Sequence, residues 1–276
     1  DETVLVRRAQ SKATQPHPLD VKGAWPLQAD ELPGRCLSSI VKRCAMETAA
    51  IDLLNSMDFS SWCNPLTMWD RAMTIDALLP RGELIGGADL RLHKFREVLS
   101  ASTFATGFCH LVRPVQVRMK DEKLLDFELQ ADDKHNYEFE LVTAYEDGRK
   151  PGDEHRNLSD DSLEVIKKLS VEPIDRRPIV QQVIKKTKKL IDLKAKDLNV
   201  RRHLLVYCSI IGGGIDEKKL YEEVATYGLS WESIWLIRGV PETSFMALLC
   251  NSFGFKCPMG EWLPNWEWAQ KRIISF

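Results

Sequence analysis

The chain reads as an α/β protein built on a central mixed sheet, and three observations carry that expectation. Two alternating stretches, "LLDFELQ" and "YEFELVTAY", flank a short polar turn, which is the pattern of an antiparallel hairpin. The longest helical pattern, "RPIVQQVIKKTKKLIDLKAKDL", follows that hairpin, and the uninterrupted apolar run "HLLVYCSII" follows the helix. A short apolar run of that kind suits a strand buried on both faces, able to return parallel to the one before the helix.

The elements can be justified in order. Residues 1–35 are rich in Pro, Gln and Asp and are expected to be extended. Residues 36–57 carry Ile40, Cys44, Ala45, Thr48, Ile51 and Leu54 near helical spacing. "NPLTMWDRAMTIDALLP" predicts a second helix, opened by Asn64-Pro65 and closed before Pro80. A third is expected from Asp89 to about Ser102. "CHLVRPVQVRM" then predicts the first strand, with Pro114 marking a bend or an edge. After the hairpin come the loop "EDGRKPGDEHRNLSDDS" and a short helix at about 160–169. A loop-and-helix segment from Gly212-Gly213-Gly214, two strands and a Trp-rich tail close the chain. The expected division is 1–85 for an N-terminal arm and helices, 86–214 for a helix-strand-strand-strand-helix-strand core, and 215–276 for an α-β-β extension with the tail.

Charge is distributed unevenly along this order. Residues 120–162 hold fourteen Asp/Glu against six Lys/Arg, whereas 176–202 hold ten Lys/Arg against two Asp. The formal net charge of −2 conceals a polarised surface. The seven cysteines include no C-x-x-C pair and several lie among apolar residues, so reduced core thiols in a cytoplasmic protein are expected rather than a zinc site. No 18-residue apolar run exists, so no membrane partner is expected. The triple glycine lacks the spacing of a phosphate-binding loop and reads as a turn. Trp262, Trp266 and Trp268 read first as packing and second as an aromatic platform.

The hairpin carries the chemistry. With period two, Leu125, Phe127 and Leu129 share one face of the second strand, and Asp126 and Glu128 the other. In the third, Tyr137, Phe139 and Leu141 oppose Glu138 and Glu140. If paired residues sum to 266, Asp126 faces Glu140 and Glu128 faces Glu138. Two carboxylates ~5 Å apart repel by about 0.8 kcal/mol in water-like surroundings and roughly 3 kcal/mol at an effective dielectric of 20. A solvated face tolerates that; an enclosed one calls for a proton or a cation, and Mg²⁺ takes such oxygen ligands. The basic helix that follows would set Gln182, Lys185, Lys189 and Lys196 along one side.

With these residues the chain resembles the PD-(D/E)XK, or restriction-endonuclease-like, nuclease superfamily, whose core has this same order of elements over residues 89–211. Asp126 matches the metal-binding Asp of the second strand, with Leu125 standing where the motif has Pro. On the third strand two alignments are open. Glu138-Phe139-Glu140 resembles the Glu-x-Glu variant. Otherwise Glu140 is the acid and Val142 replaces the Lys, whose charge would come from Lys185 or Lys189. The resemblance implies Asp126 and Glu140 as metal ligands with Glu138 as a third candidate, and Glu97 matches a place where some members supply another acid. It implies Mg²⁺ or Mn²⁺ as cofactor and hydrolysis of phosphodiester bonds in DNA, with RNA as the other substrate class. Gln182, Lys196 and the loop residues Arg149, Lys150 and Arg156 would contact substrate. The competing expectation is a nuclease-like fold that binds nucleic acid or protein without cutting, as a homodimer or a subunit of a larger complex. Convergence of Asp126, Glu138 and Glu140 with a helix-borne Lys favours catalysis; arginines filling the face favour binding.

Overall fold

A computed structural model describes residues 48–78, 93–122, 124–145, 174–210, 214–239, 244–261 and 263–264. All belong to one compact unit, Lys42–Phe276. The expectations for residues 1–47, the 146–162 loop, the 160–169 helix, Gly212-Gly213 and the three tail tryptophans lie outside the described residues.

Among the described residues seven strands form one sheet in chain order: β1 Val115–Glu122, β2 Leu125–Ala131, β3 Asn136–Ala144, β4 His203–Cys208, β5 Ser233–Arg238, β6 Phe245–Asn251 and β7 Leu263–Pro264. The first three pair antiparallel, β3, β4 and β5 pair parallel, and β6 and β7 return antiparallel. The protein is therefore α/β on a mixed sheet. Helices α1 (48–56), α2 (Pro65–Asp76) and α3 (His93–Leu111) pack on one face. Helices α4 (Arg177–Lys194) and α5 (Glu217–Ala225) pack on the other, as parallel β-α-β connections require. The Asn64 side chain accepts the Leu66 N–H at 2.9 Å, which starts α2 as its sequence predicts.

One boundary differs from expectation. The helix expected to end near Ser102 runs on to Leu111, and β1 starts only at Val115, after Pro114. Two more turns of helix bring Phe104 and Phe108 onto the sheet, where Phe104 meets Phe127, Phe139 and Trp235 at ring separations of 6.1, 5.1 and 5.5 Å. Apolar burial at these positions outweighs the strand-like look of "CHLV". The Cys109 thiol then takes the Val115 N–H at 3.3 Å, closing the turn around the proline.

Phe104 is fully buried at the centre of this aromatic group. Phe104→Ala should cost about 3–5 kcal/mol in urea unfolding. Leu229→Ala, at a side chain 89% exposed, should change stability by no more than about 0.5 kcal/mol.

Candidate functional site

Hairpin pairing follows the predicted sum: Phe127 opposes Phe139, Glu128 opposes Glu138 and Leu129 opposes Tyr137. The odd-numbered side chains enter the α3-side core. Asp126, Glu128, Glu138 and Glu140 therefore share the face turned toward α4. They are not left on a solvated surface, since Glu128 and Glu140 are buried.

The four acids divide into two pairs with different partners. Arg118, opposite Glu128 on β1, places Nε and Nη2 2.6 Å from Glu128 Oε2, and its guanidinium lies 4.3 Å over the Trp62 ring. Arg202, just before β4, pairs with Glu138 and donates from Nε to the Leu124 carbonyl at 3.1 Å. One row of the face is thus filled by arginine–carboxylate pairs. Glu138, expected as a third metal candidate, is committed to Arg202.

Among the described residues no arginine pairs with Asp126 or Glu140 in the other row, although the Arg96 charge reaches Glu97. The β2–β3 ladder ends at Phe127 and Phe139. Beyond it Asp126 Oδ2 accepts the Leu141 N–H at 2.6 Å, which anchors the carboxylate between the two strands. Glu140 meets Lys186 of α4. Glu97, in the first turns of α3, approaches closely enough to feel Glu140, Lys186 and Asp121, and its other neighbour is His93, Nδ1 to Oε1 3.1 Å. Burial, then the Glu140 charge and further the Glu97 charge, push Asp126 up to about 7 against the pull of the Leu141 N–H. Burial and the Glu140 charge also raise Glu97. Counting Asp121 and Arg96, whose charges also reach Glu97, four carboxylates among the described residues stand against one ammonium and one guanidinium, an excess of two negative charges when all are ionised. Among the described residues no three His, Cys, Asp or Glu side chains form a ready coordination cage. Two neighbouring carboxylates with a third acid outside them still fit Mg²⁺ or Mn²⁺, which takes one or two carboxylates and fills its remaining positions with water and phosphate oxygens.

The rotation of α4 decides which lysine enters. Ile179, Val183, Thr187 and Leu190 are its buried side chains, together with Pro178. On one flank Trp231 Nε1 donates to Thr187 Oγ1 at 2.9 Å and Lys194 donates to the Ser230 carbonyl at 2.7 Å. On the opposite flank Lys186 reaches Glu140. At 100° per residue, Lys186 lies about 55° from the middle of the Ile179–Leu190 arc, Lys189 about 115° and Lys185 about 155°. The expected Lys185 and Lys189 are accordingly exposed, Lys196 is exposed beyond the helix end, and Gln182 is half-buried one turn before Lys186. The stripe expected from the sequence is the one turned farthest from the apolar side of the helix; Lys186, which lies between that stripe and Val183 and Leu190 on the helical projection, is the lysine that reaches Glu140. Arg149, Lys150 and Arg156 lie outside the described residues.

Compared with protein-family models, curated proteins and solved structures, the chain matches none of them. Among the described residues no helix is long and apolar enough to cross a membrane.

Stability against pH tests the electrostatics without any metal. Asp126, raised from 3.8 to about 7, stabilises the fold at low pH, and that contribution is lost as pH rises through this range, by up to about 4 kcal/mol. His203 has the opposite sign. It is buried, its Nδ1 lies 2.7 Å from Ser233 Oγ, and burial lowers it from 6.5 to about 3. Its contribution is present above pH 6.5 and lost on acidification. The two slopes oppose each other between about pH 4 and 6.5. In chelator, Asp126→Asn, which keeps an acceptor for Leu141, should be more stable than the parent at pH 8, with the advantage vanishing below pH 4. The variant should also show a steeper loss of stability on acidification. Urea midpoints across the pH range measure both, and a pH-independent difference between the two proteins would contradict the assignment.

Proposed function

We propose that the protein is a metal-dependent nuclease that hydrolyses phosphodiester bonds, with one Mg²⁺ or Mn²⁺ held by Asp126 and Glu140. The observation that carries this reading is the row in which no arginine pairs with Asp126 or Glu140: two carboxylates from neighbouring strands, a third acid from α3 and one lysine from α4, all drawn into the same electrostatic cluster. The element order α3-β1-β2-β3-α4-β4 supports the likeness to the PD-(D/E)XK superfamily, with Lys186 in place of the lysine that Val142 replaces. A divalent cation there would supply Lewis-acid activation of the attacking water and of a phosphoryl oxygen. The chain's own groups would position and balance charge. Asp126 is fixed by the Leu141 N–H, Lys186 offers its ammonium to the charge that develops on phosphate, and Gln182 is one turn away to orient it. Glu97 would hold a water outside the direct ligand pair. Double-stranded DNA is the first substrate to test, with RNA beside it. The five described cysteines are free thiols, which suits a cytoplasmic setting.

A second reading, binding without cleavage, draws on Arg118 and Arg202, which fill part of the same face. Metal titration and cleavage separate the two. Calorimetry with Mn²⁺ should give one ion per chain, and Asp126→Ala should abolish both that ion and cleavage while circular dichroism stays unchanged. Lys186→Met should cut the cleavage rate by about a hundredfold to a thousandfold. The same variant should bind Mn²⁺ at least as tightly as the parent, because it removes a cation that competes for Glu140. Cleavage that survives chelator or Asp126→Ala would refute the nuclease reading, and Mn²⁺ binding without any cleavage of DNA or RNA would favour the second.

A further inference from the structure

Helix α4 carries more positive charge beside the site than the cluster uses. Lys186 is the α4 lysine turned down onto Glu140. Lys185 and Lys189 are exposed, and no carboxylate among the described residues lies within ion-pair distance of either. Their direction is fixed by the same contacts that fix Lys186. The Thr187–Trp231 and Lys194–Ser230 bonds tie down the flank toward β5, so the opposite flank, which holds Gln182, Lys186, Lys189 and Lys185, rises from the Glu140 side. Lys188, also exposed, points further round the top of the helix. The helix thus presents an ordered change along its flank, from an ion-paired lysine at the floor to two unpaired lysines above it. Structural use of the helix charge is already met elsewhere, by Lys194 in the last turn.

We infer that this flank is a phosphate track, along which the backbone of a nucleic-acid substrate lies as it enters the site. The inference rests on the nuclease reading for what happens at Asp126 and Glu140, but not for binding itself. Lys185 and Lys189 are about 6 Å apart along the axis at 1.5 Å per residue. Duplex nucleic acid advances about 3.4 Å per nucleotide on one strand, so the two ammonium groups reach phosphates one or two nucleotides apart. A polymer is therefore favoured over a mononucleotide or a small phosphodiester, since only a polymer offers phosphates to the site and to the track together. Lys196, exposed beyond the last turn of α4, extends the row away from the site. An acidic polypeptide is the other anion that a lysine row attracts. The regular phosphate spacing favours nucleic acid.

The test is fluorescence anisotropy of a labelled DNA duplex against the full chain in chelator, over a series of salt concentrations. Lys185→Glu with Lys189→Glu should weaken binding at least tenfold and make the log–log salt slope shallower by about 1.8, two contacts at 0.9 each. Asp126→Asn should leave binding intact or tighten it. Lys218→Glu, which changes an exposed lysine of α5, should have little effect. Hydrolysis of bis(p-nitrophenyl) phosphate, where the parent shows it, should survive the double charge reversal while cleavage of the duplex falls through KM. Equal weakening by the α5 variant, an unchanged salt slope, or competition by polyglutamate as strong as by unlabelled duplex would overturn the track. Lysine-dependent binding by a chain that cleaves nothing with any divalent metal would leave the track standing and remove the nuclease reading. Cleavage indifferent to Lys185 and Lys189 would do the reverse.

Discussion

Repulsion among four carboxylates on one sheet face is the constraint around which this structure is arranged. Strand periodicity forces Asp126, Glu128, Glu138 and Glu140 to the same side once Phe127 and Phe139 are buried on the other. At the register found here Glu128 faces Glu138 across the hairpin, and Asp126 and Glu140 lie just beyond the end of the ladder. Arginines remove half of the problem. A guanidinium keeps its charge when partly desolvated and meets a carboxylate through directed N–H groups, so Glu128 and Glu138 become members of ion pairs. Burial lowers Arg202 itself, yet from so high a starting value that it remains a cation. The other half is left open: Asp126 is raised to about 7, and among the described residues one lysine, Lys186, pairs with Glu140. This asymmetry gives the face one neutral row and one row with unmatched negative charge.

How much of this could be read from the residues follows from the range of each force. The period-two pattern of "LLDFELQ" and "YEFELV" is local, and it specifies the shared face and, through the turn length, the register. Helix α4 and strand β4 are equally legible, because apolar spacing over five turns and a bare apolar run leave few readings. The end of α3 was not, since Cys109 to Leu111 look strand-like until Phe104 and Phe108 are seen to need a sheet beneath them. Arg118 lies within the strand the sequence predicts, but its partner depends on the β1–β2 register, which shifts between Met119 and Glu122 and so is not fixed by the turn alone. Arg202 is distant in sequence from Glu138 and becomes its neighbour only through the parallel pairing of β3 with β4. No local pattern announces a partner across a β-α-β connection.

Lysine choice on α4 shows the same limit at finer scale. Lys185, Lys186, Lys188 and Lys189 are chemically alike, and only the rotation of the helix separates them. That rotation is set by Ile179, Val183 and Leu190 in the core and by Thr187 holding the Trp231 indole. Lys186 lies at the border of the buried arc, where a long side chain can lay its methylenes against apolar neighbours and still deliver its ammonium to Glu140. The place beside the acids expected of Lys185 or Lys189 is therefore taken by Lys186, which lies nearer the core on the helical projection.

The rigidity of the site comes from the face that takes no part in it. Phe127 and Phe139 stack with ring centroids 4.8 Å apart and planes within 9°, and His203 stacks on Phe139 from β4 at 4.9 Å. Each aromatic is sequence-adjacent to an acid: Phe127 lies between Asp126 and Glu128, and Phe139 between Glu138 and Glu140. Movement of any carboxylate backbone would have to disturb a packed ring on the reverse side, at a cost of kcal/mol. The carboxylates thus cannot relax apart to relieve their repulsion, and the relief must come from outside the strands, by protonation, by Lys186 or by a cation. A loop-borne pair of acids would simply splay. Held on two core strands, Asp126 and Glu140 keep their separation, and under the function proposed above the repulsion that destabilises the fold is the free energy that a divalent ion would recover.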